Sequence, residues 1–189
     1  MKAEPSQAPG IEATARLLGA YTWIEARLFE VLGALAATGG DVAEVSAFLD
    51  AQSQQHAWHA SLFADRIPAL PGLDPSRLTA SPSPAVGALL DALAGTTSAA
   101  DSLALSARVL LPRLVTGYRR HLHRTRAASD GAVVRALRLV VRDEIEALLD
   151  AEALLEAHVA EGGVVDARLL RSVEDGLAPG GPGLVPWPR

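Results

Sequence analysis

Apolar residues recur at alternating spacings of three and four along most of this chain, the period of an amphipathic helix. Residues 11–38 place Leu18, Tyr21, Leu28, Leu32 and Leu35 on one seam and end at Gly39-Gly40, a C-terminal stop. Asp41 is placed to cap a second helix reaching about Leu70, with seam residues Val45, Leu49 and Phe63. Pro68 should end or kink its last turn. The stretch PGLDPSRLTASPSP, residues 71–84, reads as a connection, and a short helix follows at 85–94. Gly95-Thr96-Thr97-Ser98 breaks it, and Ser98 or Asp101 can cap a third long helix to about Arg126, with seam residues Leu103, Ala107, Leu110 and Leu114. Pro112 inside it predicts a bend. Ser129-Asp130-Gly131 is the next turn. The fourth helix covers residues 132–160, with Leu137, Val141, Leu148, Ala151 and Leu155 on its seam, and stops at Gly162-Gly163. A short helix at 166–176 precedes APGGPGLVPWPR, read as a loosely ordered tail.

Runs of alternating β-branched residues are absent, so the pattern predicts an all-α protein. Residues 1–10 form a flexible N-terminus, 11–163 a four-helix bundle, and 164–189 a short helix and tail. The connections at 39–40 and 127–131 are short and make antiparallel neighbours. The connection at 71–97 is long enough to cross the bundle, which gives an up-down-down-up order with the crossover between helices 2 and 3. The alternative is up-down-up-down, with residues 71–97 packed across one end.

Composition narrows the chemistry. The chain has 189 residues, 49% hydrophobic and 21% charged, which suits one globular domain with a sizeable core. A net charge of -5 argues against a nucleic-acid binder. The absence of cysteine removes thiolate metal sites, disulfides and cysteine nucleophiles. The N-terminus MKAEPSQAPG lacks the apolar core of a signal peptide, and no apolar run has the roughly 20 residues of a membrane span. A cytoplasmic location is expected. Lys2 is the only lysine, and the Ala-, Leu- and Arg-rich usage resembles that of a GC-rich bacterial genome. A mean hydropathy of +0.20 is high for a soluble monomer and makes a homodimer that buries apolar surface plausible.

Each seam turns polar near its middle. Helix 1 carries Glu25 there, helix 2 Gln52, His56 and His59, helix 3 Tyr118 and His121, and helix 4 Glu144. At about 1.5 Å per residue, Glu25 and Glu144 both lie roughly 20 Å above their helix starts in the up-down-down-up order. Counted back from Gly39-Gly40, Glu25 falls opposite residue 54, between Gln52 and His56. Glu25, His56 and Glu144 form the tightest group, with His59 a turn lower. Tyr118 and His121 come out lower again. Buried carboxylates are costly unless paired or metal-bound, and carboxylate with neutral imidazole suits iron, manganese or zinc. Glu25, His56, His59 and Glu144 are the candidate metal ligands, and Gln52, Tyr118 and His121 their polar neighbours. The bland reading is a hydrogen-bonded polar layer that sets helix register.

The remaining features read as structural. Tyr21 and Tyr118 are core residues, and His121 and His123 sit in a basic helix end, YRRHLHRTR, that complements the helix dipole. Trp23 and Trp58 fall off the seams and should pack under the crossover or at a subunit contact. No phosphate-binding loop or nucleophile elbow is present.

The helix lengths, the connections, Glu25 in YTWIEARLFE, His59 in QHAWHASLF and Glu144 in RDEIEALLD together resemble the ferritin-like superfamily of di-iron carboxylate bundles, over residues 11–160. The HAWHA string also looks like that of bacterial ferritin-like proteins with no assigned role. In the superfamily two helices each supply a Glu and two supply Glu-x-x-His. Here His56 stands three residues before His59, Ala147 three after Glu144, and helix 3 has no acid between Asp101 and Asp130. The resemblance therefore implies a non-standard iron or manganese site with oxidase- or hydroxylase-type chemistry, and not an iron-storage ferritin. Two other readings stand beside it. One is a metal-free bundle that acts as a binding or interaction module. The other is a histidine-metal bundle of the DinB type.

Overall fold

The computed structural model of the protein describes residues 8–38, 42–69, 71–177 and 183–185. Among them every regular element is helical. The order is α1 (Ile11–Thr38), α2 (Ala43–Ala64), α3 (Pro75–Leu78), α4 (Pro84–Leu93), α5 (Ala99–Leu105), a π-helical segment (Ser106–Leu110), α6 (Leu111–Arg124), α7 (Ala127–Ala160) and α8 (Ala167–Gly176).

Several boundaries differ from the sequence reading. The second helix stops at Ala64 rather than near Leu70, because Pro68 disfavours helical backbone before it and removes a donor. The connection that follows contains a turn of helix, α3, capped by the Asp74 carboxylate with Pro75 at its first position. The third long helix is not continuous. Five residues, Ser106–Leu110, adopt π-helical bonding just ahead of Leu111-Pro112, where the proline has no N–H to give and crowds the carbonyl four residues back. The turn expected at Ser129-Asp130-Gly131 is a break inside α7, with Asp130 alone off helical backbone at φ -128 and ψ 37. Thr125 and Arg126, just before it, are both in extended conformation and share the reversal. Ser98 is the cap of α5 and Asp166 that of α8. The expected flexibility of the first residues, the Gly39-Gly40 stop with the Asp41 cap, and the reading of 178–182 and 186–189 as tail lie outside the described residues, apart from residues 8–10.

One core runs the length of the molecule, from Leu18, Ile24, Leu28 and Leu35 of α1 to Leu49 and Phe63 of α2, Leu103 and Leu114 of the third helical stretch, and Leu137, Ala151 and Leu155 of α7. Phe29 accepts from Ser53 (2.7 Å), Glu25 meets His56 and Tyr21 meets Phe63, so α1 and α2 are antiparallel. The α4 helix covers α1, and a Cβ added at its Gly87 would lie 3.9 Å from the Trp23 ring. Trp23 thus packs under the connection, as its off-seam position suggests, whereas Trp58 is 48% exposed. Val173, Leu177 and Leu184 are buried near the C-terminus. Gly117 on α6 lets Val185 approach so closely that an added Cβ would lie 2.5 Å from it.

Candidate metal centre

The middle of this core is polar. Glu25, His56, His59 and Glu144 each expose 2% of their surface or less. They arrive there because each occupies a seam position on its helix, surrounded on the same face by Tyr21, Leu28, Phe63 and Val140-type apolar neighbours that anchor the helices against one another. One donor atom from each lies within 4.8 Å of the other three.

The arrangement is a closed ring of two nitrogens and two oxygens. His56 Nδ1 is 2.6 Å from Glu25 Oε2 and 3.5 Å from Glu144 Oε1. His59 Nδ1 is 3.6 Å from that same Glu25 oxygen and 3.1 Å from that same Glu144 oxygen. Four donors about 2.1 Å from a single tetrahedral ion stand roughly 3.4 Å apart, so the spacing fits one ion. Two further atoms complete the surroundings. The Tyr118 hydroxyl donates to the other Glu25 oxygen, Oε1. His59 Nε2 faces Asp143 Oδ2 at 3.2 Å.

Charge and burial compete at every member. Burial disfavours ionised Glu25, but His56 and then His59 outweigh it and bring the carboxyl to about 2. Burial raises Glu144 above the usual range, assisted by the negative charge of Glu25 and opposed by the two imidazoles. Burial works against protonated His59, yet its bonds to Glu144 and Glu25 lift it to about 10. His56 is raised in the same way, with burial overcome by Glu144 and Glu25. Tyr118 is pushed up by burial and by both carboxylates, so it stays a donor. The imidazoles and carboxylates of the metal-free cluster share protons across these contacts, and an ion would bind by taking their place.

The residues fit a metal on a second count. Glu144 Oε2 is buried with no hydrogen-bond partner among the described residues. An orphaned carboxylate oxygen in a core is costly unless something positive meets it. On the far side, His56 borders a cavity of about 10 Å³ lined by Leu28, Leu32, Gln52, Ser106, Leu110 and Leu111. That is room for about one water.

The sequence reading grouped Glu25, His56 and Glu144 and set His59 a turn lower, whereas the structure brings all four together; it also misjudged their neighbours. Tyr118 is bonded to Glu25 rather than lying below the layer. Its ring packs beside Phe63, 5.4 Å between centroids, as the residue count requires. However, helical side chains point back toward the N-terminus of their helix, and this carries the hydroxyl up to Glu25. His121 is not part of the cluster. Its Nδ1 takes the Tyr21 hydroxyl at 3.1 Å, and burial lowers it to about 4, partly offset by Asp130. Gln52 is half-buried at the rim of the small cavity. Asp143 was missed. Its only sequence signal is its place beside Glu144 on a helix, where consecutive residues usually face apart.

No family model matches this chain, and neither the curated proteins nor the solved structures contain a significant match to it. The fold class is all-α, and the buried Glu/His cluster can hold a metal ion. Among the described residues no helix is long and apolar enough to cross a membrane.

Proposed function

We propose that this protein is a ferritin-like four-helix metalloprotein that holds one iron or manganese ion through Glu25, His56, His59 and Glu144. The observation that carries the reading is the ring of four N···O separations between 2.6 and 3.6 Å, with Glu144 Oε2 left over. A two-metal site spans about 3.5–4 Å between ions and needs bridging and terminal carboxylates on several helices. Here two of the four long stretches supply one ligand carboxylate each. A single ion is the better fit, and iron storage is not.

Helix directions support the ferritin-like order. The Gln52–His56 turn of α2 borders Ser106, Leu110 and Leu111, and Phe63 borders Tyr118, so α2 and the third stretch advance in the same sense. Arg108 reaches Glu152, while His121, further along that stretch, feels Asp130, so α7 runs antiparallel to it. With α1 antiparallel to α2, these senses match up-down-down-up.

An iron or manganese ion held by two carboxylates and two imidazoles supplies one-electron redox chemistry, the basis of an oxidase- or hydroxylase-type reading. The chain itself keeps bulk water out with a sleeve of leucines. Glu25 and Glu144 would neutralise a divalent charge, and the Tyr118 hydroxyl keeps its proton and donates it in a hydrogen bond to Glu25 Oε1. A site with four single-atom ligands leaves further positions for iron or manganese, which prefer more ligands than zinc.

Elemental analysis after growth with iron and manganese, on protein purified without a metal-binding tag, tests the reading. About one equivalent per chain is expected. A folded chain with no metal would favour the second reading, a metal-free bundle that acts as a binding module. One observation speaks for that alternative: each imidazole already has a carboxylate partner. Loss of binding in Glu25→Ala would separate the proposed site from a histidine-dominated one.

A further inference from the structure

The proposed site has an asymmetry that its four ligands do not account for. His59 is gripped on both edges by consecutive residues of α7. Glu144 Oε1 meets Nδ1 at 3.1 Å, and Asp143 Oδ2 meets Nε2 at 3.2 Å. His56 has its Nδ1 on Glu25 and no hydrogen-bond partner for Nε2 among the described residues. Asp143 is largely buried, with 16% of its side chain exposed. Adjacent helical residues normally point about 100° apart. Here the imidazole reaches both directions, one with each ring nitrogen.

We infer that Asp143 is a positioning residue for the metal: it accepts the His59 Nε2 proton and thereby fixes the tautomer that turns the Nδ1 lone pair toward the ion. An imidazole can ligate through either nitrogen, and the choice is set by the hydrogen bond the other nitrogen makes. With Nε2–H on Asp143, only Nδ1 is free to face the oxygens of Glu25 and Glu144. The carboxylate also makes the imidazole a stronger electron donor. His56 lacks this support, so the two histidines are unequal ligands, and loss of Asp143 should weaken only one of them. The inference rests on the single-ion reading above.

The test uses Co²⁺ and Zn²⁺ as probes on the full-length, metal-free chain. Asp143→Asn should raise the Kd for Co²⁺ by about tenfold to a hundredfold, the usual effect of losing such a partner. Asp143→Glu should recover part of the loss. In the Zn²⁺-loaded wild type, nitrogen NMR should find His59 protonated at Nε2 and bound through Nδ1. That measurement needs no variant, so it decides the question even if Asp143→Asn folds poorly. An unchanged Kd in Asp143→Asn, or a His59 bound through Nε2, overturns the inference while the metal site stands. A folded wild type that binds neither ion overturns the metal reading itself.

Discussion

The Tyr118 hydroxyl, buried on α6, donates to Glu25 Oε1 on α1, while the other oxygen of that carboxylate takes His56 Nδ1 at 2.6 Å. One carboxylate thus joins three helical stretches, with a neutral donor on one side and an imidazole on the other. Tyr118→Phe removes the donor and leaves a buried oxygen unmet. The expected cost is about 1–3 kcal/mol, read as a lowered urea midpoint with unchanged slope. Bound metal should stay near the wild-type amount, because Oε2 rather than Oε1 faces the cluster.

Ligand substitutions should divide the buried polar residues into two groups. Alanine at Glu25, His56, His59 or Glu144 is expected to lower bound metal at least about tenfold, since even outer partners carry that much. His121→Ala should leave the stoichiometry intact, because its imidazole bonds to Tyr21 and lies outside the ring. Metal analysis of the five variants checks this, and an equal loss in His121→Ala would contradict the site's boundary.

His121 should make stability fall in mild acid. Its imidazole is lowered from 6.5 to about 4 in the fold, chiefly by burial. Between those values the unfolded chain binds a proton that the folded chain does not. The contribution is therefore complete above about 6.5 and is lost as pH falls toward 4. At 1.36 kcal/mol per pKa unit it amounts to roughly 3 kcal/mol at most. His121→Gln keeps a polar group beside Tyr21 but cannot titrate, so its stability should drop less steeply than wild type between pH 7 and pH 4. Urea titrations at several pH values measure the difference, in which other acid-sensitive groups cancel.

Gly19 should not tolerate a methyl group. A Cβ there would lie 2.4 Å from the Leu78 carbonyl oxygen, where α3 crosses α1. On an open helix face Gly→Ala gains up to about 1 kcal/mol. Here overpacking against backbone should cost about 1–3 kcal/mol, so Gly19→Ala is expected to destabilise. A higher melting temperature would mean that α3 does not sit on α1 in solution.

The helical class and the identity of the four central residues were legible from spacing alone. Glu25, His56, His59 and Glu144 interrupt otherwise apolar seams, and a period of 3.6 with a fixed rise turns sequence distance into direction and height. That arithmetic works for Cα positions within one unbroken helix. It weakened at Pro112, where a π-helical segment changes the residue count per turn, and at Asp130, where one off-helix residue sits inside α7.

What only the tertiary structure decided depends on side-chain reach and on the meeting of helices. Tyr118 joins Glu25 because its hydroxyl lies a turn away from its own Cα. Asp143 joins His59 because the imidazole reaches two neighbouring directions of α7, one with each ring nitrogen. The shared oxygens that close the ring, and the carboxylate oxygen left without a partner, exist only once α1, α2 and α7 are packed together. A one-dimensional pattern records which face of a helix is polar. Which atoms of two such faces come within hydrogen-bond distance is set by rotamers and by helix packing, and neither is written in the period.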